Sequence, residues 1–317
     1  MKIIVLDGYA MNPGDLSWNW LEKYGTFTVF DRTEARQAVE RIGNADAVLV
    51  NKVPITEDVM HSCPDLRYVG VNATGYNVVD IACAHKRGIT VTNVPGYSTS
   101  AVAQQVFAFI LSFSNRVKEH SDSVFTGDWI TCPDFTYWKT PLCELEGKTL
   151  GIFGFGAIGK KAALIAQAFG MRVICHTRRK ETVQDIPGVL YCTKEELFSQ
   201  SDFISLHCPL TDETRHLINN KTIALMKKTA VLINTARGAL IDEEALQKAL
   251  TKELIAGFAA DVISEEPMKQ NNPLLRAPNT LLTPHIAWAS LETRKRLMNA
   301  VENNLRLFLS GNPQNVI

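Results

Sequence analysis

Hydrophobic positions along this chain follow two rhythms. Short unbroken apolar runs occur at residues 3–6, 47–50, 68–71 and 89–92, and again at 149–153, 171–175, 203–206, 230–234, 255–261 and 280–282. Their length and continuity predict strands buried on both faces. Between them apolar residues return every three or four positions, which predicts helices around 33–42, 57–61 and 79–86. Ala162, Ile165, Ala166 and Phe169 keep that spacing after the fifth run, with Gly170 placed to cap their helix. Strands alternating with helices in this way build parallel sheets covered on both sides, so the fold class is α/β.

Two features divide the pattern. Pro95-Gly96-Tyr97-Ser98-Thr99-Ser100 gathers turn formers and hydroxyl N-caps ahead of a long apolar helix at 101–117, and predicts a domain boundary. From residue 291 onward Leu297, Met298, Val301, Leu305 and Phe308 fall at helical spacing. The chain therefore closes with an amphipathic helix, whose most economical partner is the first group of strands. Residues 127–145, with Trp129, Phe135, Tyr137 and Trp138, carry neither rhythm.

The stretch KTLGIFGFGAIGKKAALIAQAFGMRVICHTRR, residues 148–179, adds chemistry to the pattern. Gly154, Gly156 and Gly159 make G-x-G-x-x-G where the strand at 149–153 passes into a helix. The first glycine permits the tight turn, the second lets the backbone approach a pyrophosphate, and the third lets helix pack on strand. Free N–H groups and the helix dipole then attract the anion. With the strand before, the helix after and a second strand following, the motif reads as a dinucleotide site rather than a structural turn. The first hundred residues have no such fingerprint.

A cofactor with a free ribose 2′-hydroxyl is usually held by an acid about twenty residues after the glycines. Here Thr177 stands there, followed by Arg178 and Arg179. A carboxylate would repel a 2′-phosphate, whereas a hydroxyl and two guanidiniums bind one. NADP(H) is therefore expected in preference to NAD(H), which such a site also admits. The competing reading makes the arginines solvated surface charges.

Composition narrows the partners. Lys plus Arg and Asp plus Glu number 33 each, which removes the electrostatic case for nucleic acid or an anionic membrane surface. The first apolar run is too short for a signal peptide and no stretch is long enough to span a membrane, so a cytoplasmic enzyme of small molecules is expected. Cys63, Cys83, Cys132, Cys143, Cys175, Cys192 and Cys208 are scattered without C-x-x-C, and the histidines do not cluster near them. Reduced thiols, and no disulfide framework or metal, are expected.

Three polar features follow strand ends in the second half, where open α/β sheets hold ligands. They are Asn234-Thr235-Ala236-Arg237-Gly238, then Asp261-Val262-Ile263-Ser264-Glu265-Glu266-Pro267, and then Thr283-Pro284-His285-Ile286-Ala287-Trp288. Reduction of a 2-oxo acid needs a cation for the carboxylate, an acid for the new alkoxide, and a group that keeps that acid protonated. Arg237 suits the first as a bidentate fork, His285 the second, and Glu266 the third by pairing with the imidazolium. Trp288, three residues after His285, either walls a small substrate pocket or packs in the protein interior at a domain interface.

The ordered set GFGAIG, NTARG, DVISEEP and TPHIAW resembles the D-isomer-specific 2-hydroxyacid dehydrogenase family over nearly the whole chain. VNATGYN, VPGYST and HIAW most resemble its glycerate dehydrogenase, or hydroxypyruvate (glyoxylate) reductase, branch. The resemblance implies two doubly wound parallel-sheet domains with a cleft between them. Residues 1–99 plus 287–317 would form a flavodoxin-like substrate domain, and residues 100–286 a Rossmann coenzyme domain. It makes Arg237, Glu266 and His285 the catalytic residues. The loop with Asn72, Ala73, Thr74 and Gly75 would hold the substrate carboxylate through backbone N–H groups. It further implies cofactor contacts at Gly154, Phe155, Gly156, Ala157, Ile158, Gly159, Thr177, Arg178, Cys208, Pro209, Thr214, Thr235, Ala236, Arg237, Asp261 and His285, with Asp261 near the nicotinamide amide. Thr177 and Gln104 depart from the family's usual acids. A homodimer is expected, as in relatives. The implied reaction joins hydroxypyruvate or glyoxylate to D-glycerate or glycolate; D-lactate and phosphoglycerate dehydrogenases, and a dinucleotide-sensing corepressor, are the alternatives.

Overall fold

In the computed structural model, which describes residues 1–317, the apolar runs form two parallel sheets. One lies in each of two units, Met1–Ser98 with Trp288–Ile317, and Thr99–Ala287. The first sheet comprises β1 Lys2–Val5, β2 Thr26–Val29, β3 Ala47–Val50, β4 Tyr68–Val71 and β5 Thr90–Thr92, in the order β2-β1-β3-β4-β5. All four pairings are parallel, which is the flavodoxin-like arrangement. Every residue of β3 and β4 is buried, as their continuous apolar sequences require. The strand β2 has no counterpart among the apolar runs, because T-F-T-V lies at the sheet edge with alternating exposed and half-buried positions.

Each face of this sheet carries its own core. Ile42, Val48, Met60, Val69 and Val91 pack on one side, and Ile3, Val5, Leu49 and Tyr68 on the other. The second face is closed by the helix Leu291–Leu309, whose Leu297, Met298, Val301 and Leu305 are buried against it. Ser290 caps that helix by accepting the Thr293 N–H, and Arg294 donates to both Asp15 carboxylate oxygens at 2.6 Å. The arginine is only 8% exposed, so this bidentate pair pins the first turn of the helix.

The second sheet comprises β6 Thr149–Phe153, β7 Arg172–His176, β8 Val189–Tyr191, β9 Phe203–Leu206, β10 Val231–Asn234, β11 Gly257–Ala260 and β12 Thr280–Leu282. Its order is β12-β11-β10-β9-β6-β7-β8, all parallel, with the winding reversed between β6 and β9 as in a Rossmann sheet. The short edge strand β8 is also absent from the expected strands; its V-L-Y is apolar but only three residues long, and Leu190 and Tyr191 are exposed. The helix Thr99–Asn115 packs Val106, Phe107, Ile110 and Phe113 against Leu150, Ile152, Val173 and Ile233. It stops earlier than the apolar pattern indicates, because Arg116 takes a left-handed φ of 48° before a second helix, Val117–Phe125. No helix is long and apolar enough to cross a membrane.

Candidate active site

Parallel strands present all their C-terminal ends along one sheet edge, so the loops after β6, β7, β9, β10, β11 and β12 gather on one side of the second unit. The glycine turn after β6 has the three properties its spacing predicts. Gly154 takes φ +98°, and a Cβ there would lie 2.6 Å from the Cys208 nitrogen. A Cβ on Gly159 would lie 2.5 Å from the Gly154 oxygen. At Gly156 a Cβ would meet no heavy atom within 4 Å, so the turn opens outward there. Gly156 is also the N-cap of the helix Ala157–Ala168, and no side chain caps its first N–H groups. Open space, free N–H groups and a helix N-terminus fit a pyrophosphate. Phe155 buries its ring in the core, leaving its main chain to the turn.

Thr177, Arg178 and Arg179 follow β7 directly, and both arginines are exposed with no carboxylate paired to either. Cys208 and Pro209 follow β9; burial pushes the Cys208 thiol up to about 11, so it stays protonated. The Thr214 hydroxyl holds the same loop, accepting from the Thr211 N–H at 2.7 Å and donating to the Pro209 carbonyl at 2.8 Å. Thr235, after β10, has a buried hydroxyl without any hydrogen-bond partner in the chain. It is an orphaned polar group on the same sheet edge as the glycine turn.

The β10 loop is built around Asn234. Its side chain accepts from the Ala236 N–H at 3.0 Å and donates to the Arg237 carbonyl at 2.9 Å, which sets the turn that exposes Arg237. Gly238 lets this loop lie against the next one, because a Cβ would fall 1.8 Å from the Ile263 carbonyl carbon. Glu266 Oε2 lies 2.7 Å from His285 Nδ1, and both side chains are about one-third exposed at 33%. The contact fixes the ring and leaves Nε2 without a partner in the chain.

Asp261, at the end of β11, is buried and acts on the His285 loop. Its Oδ1 accepts from the Thr283 hydroxyl at 2.6 Å and the Ile286 N–H at 2.8 Å, and its Oδ2 from the Ala287 N–H at 2.8 Å. Between these anchors His285 adopts φ 56°, a costly backbone for a non-glycine residue that the braced loop enforces. Sequence reasoning selected Asp261 for the cofactor and missed the brace, as it missed the close approach at Gly238. The motif DVISEEP held no sign of either, because both depend on residues more than twenty positions away.

Asn72, Ala73, Thr74, Gly75 and Trp288 belong to the first unit. Asn72 follows β4 and is buried, yet neither its Oδ1 nor its Nδ2 has a partner. The N–H groups of Ala73, Thr74 and Gly75 donate no hydrogen bond, while the carbonyls of Ala73 and Thr74 accept from Val94 and Asn93. The loop is thereby tied down through its acceptors with its donors left over. Trp288 packs edge-on against Tyr97 at 6.5 Å, beside the core under the closing helix.

Residues 107–287 match the family described as D-isomer specific 2-hydroxyacid dehydrogenase, NAD binding domain. The chain is 46% identical to the hydroxypyruvate reductase of Blautia hydrogenotrophica, over 100% of this chain and 99% of that one. It is 37% identical to the glycerate dehydrogenase of Methylorubrum extorquens, over 100% and 98%. Among solved structures, an acyclic imino acid reductase in complex with NADPH and D-Arg superposes with a TM-score of 0.87 at 33% identity, covering 100% of both chains. With these likenesses running end to end, the chain belongs to the D-isomer specific 2-hydroxyacid dehydrogenases, nicotinamide-dinucleotide-dependent oxidoreductases.

Proposed function

We propose that the enzyme reduces hydroxypyruvate or glyoxylate, using NADPH in preference to NADH, and that Arg237, Glu266 and His285 carry the reaction. The observation that carries this reading is the Glu266–His285 pair at 2.7 Å, on a loop whose backbone Asp261 braces. When bound, the dinucleotide supplies the hydride. Gly156, Ala157 and Ile158 would hold its pyrophosphate with backbone N–H groups, the Gly154 N–H being given to the His176 carbonyl, and Thr235 would offer its unpaired hydroxyl. His285 Nε2 gives its proton to the forming alkoxide, and Glu266 stabilises the imidazolium beforehand and holds the ring in place. Arg237 offers its guanidinium to the substrate carboxylate and carbonyl. The unused N–H groups of Ala73, Thr74 and Gly75, and the orphaned amide of Asn72, suit a carboxylate ligand equally.

Support for the substrate comes from relatives called hydroxypyruvate reductase and glycerate dehydrogenase. Support for the cofactor preference comes from the two unpaired arginines after β7 and from the NADPH in the imino acid reductase. The assembly we propose is a homodimer, because residues 117–142 expose Phe125, Ile130, Phe135 and Trp138 at 88%, 87%, 89% and 66%. A sedimentation mass equal to one chain, unaltered by Phe135→Asp, would remove that element.

The decisive assay compares initial rates of NADPH and NADH oxidation with hydroxypyruvate, glyoxylate, pyruvate and phenylpyruvate. Faster turnover of the first two, better with NADPH, is expected. Equal rates with NADH overturn the cofactor preference, and preference for phenylpyruvate overturns the substrate.

A further inference from the structure

Three side chains of metal-ligating type meet in the first unit, none of them assigned above to the dinucleotide or the substrate. Glu57 and His61 are four residues apart on the helix Glu57–Ser62, a spacing that puts both on one face. Cys83 lies on the helix Ile81–Lys86, which packs beside it. One ligand-capable atom from each residue lies within 4.8 Å of the other two.

The backbone sets this spacing as well as the side chains. The segments leading into the two helices are joined by the Ile55 N–H to the Val78 carbonyl at 2.7 Å and the Asp80 N–H to the Ile55 carbonyl at 3.0 Å. His61 Nδ1 lies 2.8 Å from the Glu57 carbonyl oxygen. A carbonyl only accepts, so Nδ1 carries the proton and Nε2 the lone pair. Anchoring one imidazole nitrogen to a backbone carbonyl is how proteins orient a metal-binding histidine through the other. The Cys83 thiol is buried and donates no hydrogen bond.

We propose that Glu57, His61 and Cys83 bind a divalent transition-metal ion of the zinc class, through thiolate, imidazole and carboxylate. Sulfur and nitrogen donors together exclude magnesium and calcium, which take oxygen. Three protein donors with water in the fourth position satisfy tetrahedral zinc. On binding, the metal–sulfur bond forms as the Cys83 S–H breaks, and the proton passes to solvent. The ion clips together the two helices that follow the 51–56 segment and the 72–80 loop. It therefore stabilises the first unit and takes no part in the proton transfer at His285.

Cobalt(II) added to the chelator-treated enzyme tests this directly. The expected spectrum has a sulfur-to-cobalt charge-transfer band with the intense visible bands of four-coordinate cobalt, and stoichiometric zinc displaces it. Cys83→Ser removes the charge-transfer band. His61→Ala, at an exposed position that folding tolerates, lowers zinc affinity by at least about tenfold and abolishes the rise in Tm that zinc gives the wild type. Turnover of the 2-oxo acid persists in both variants. Absence of a sulfur band, or its persistence in Cys83→Ser, overturns the proposal, the latter by assigning the metal to one of the other thiols. A zinc-induced Tm rise that survives His61→Ala overturns it independently.

Discussion

The two sheets are wound on the same plan, yet they treat the turn beyond a central strand in opposite ways. After β6 the second unit places Gly156, leaves its N–H groups uncapped and leaves the space in front open. After β1 the first unit places Asp7. Its carboxylate accepts from the N–H groups of Asn51, Lys52 and Val53 at 2.8, 2.6 and 3.2 Å. The first unit thus fills with its own carboxylate the kind of backbone cradle that the second leaves open. Its free donors lie one loop further on, at Ala73, Thr74 and Gly75. Architecture is shared, and the residue at the turn decides which ligand each edge accepts.

The strongest way to break the contrast is at the second unit's chemistry. His285→Gln is expected to lower kcat by about 10²–10⁴-fold, the usual contribution of a positioned acid, with dinucleotide affinity unchanged in fluorescence titration. A rate close to wild type would sink the role of His285.

Acid distinguishes the units next. Burial pushes His207, which hydrogen-bonds to the Ser205 hydroxyl at 2.8 Å, down to about 4 from 6.5. Its folded pKa is depressed, so the neutral ring's contribution is complete above pH 6.5 and is lost as pH falls toward about 4. That loss amounts to about 3 kcal/mol across the window. Asp7 responds the other way, because desolvation raises its pKa above 3.8 against the lowering effect of its three N–H donors. Its contribution is present below 3.8 and is lost as pH rises through the raised value. Urea unfolding from neutral pH down to 4 should show a flatter acid limb in His207→Asn than in the wild type. Identical limbs would exclude His207 as the source.

Arg178→Ala should cost about 1.5–3 kcal/mol of NADPH binding, roughly 10–150-fold, and leave NADH binding unchanged. Equal losses for both cofactors would return the arginine to the solvated surface. The smallest effect is expected in the first unit. Asp7→Ala should lower stability by about 1–2 kcal/mol by stranding its three N–H groups, and sulfate should restore part of the loss. A variant whose Tm ignores sulfate would show that the cradle does not exist without its acid.

Features with a local cause were legible in the chain. The glycine turn needed only its flanking strand and helix, and the closing helix needed only the spacing of Leu297, Val301 and Leu305. The edge strand β2 was not legible, because T-F-T-V alternates polar and apolar residues, and β8 was passed over because V-L-Y is only three residues long with two of them exposed. Within the site, Arg237, Glu266 and His285 stood out as residue types suited to one reaction, and the fold brings the Glu266 and His285 side chains together. The brace from Asp261 to the N–H groups of Ile286 and Ala287 was hidden, since it joins a side chain to backbone 25 and 26 residues away. The three donors Glu57, His61 and Cys83 were hidden for the same reason, each being unremarkable in its own segment.

The helix Leu291–Leu309 also bears on how the chain is made. Ribosomal synthesis runs from the N-terminus, so β1 to β5 emerge first, and the whole of Thr99–Ala287 must follow before the cover for Ile3, Val5 and Tyr68 exists. During that interval one greasy face of a finished sheet stays bare, while the dinucleotide-binding unit has everything it needs to fold at once. The nascent first unit is then the part of this enzyme that a chaperone would have to shield, and the second unit is the first to become a native domain.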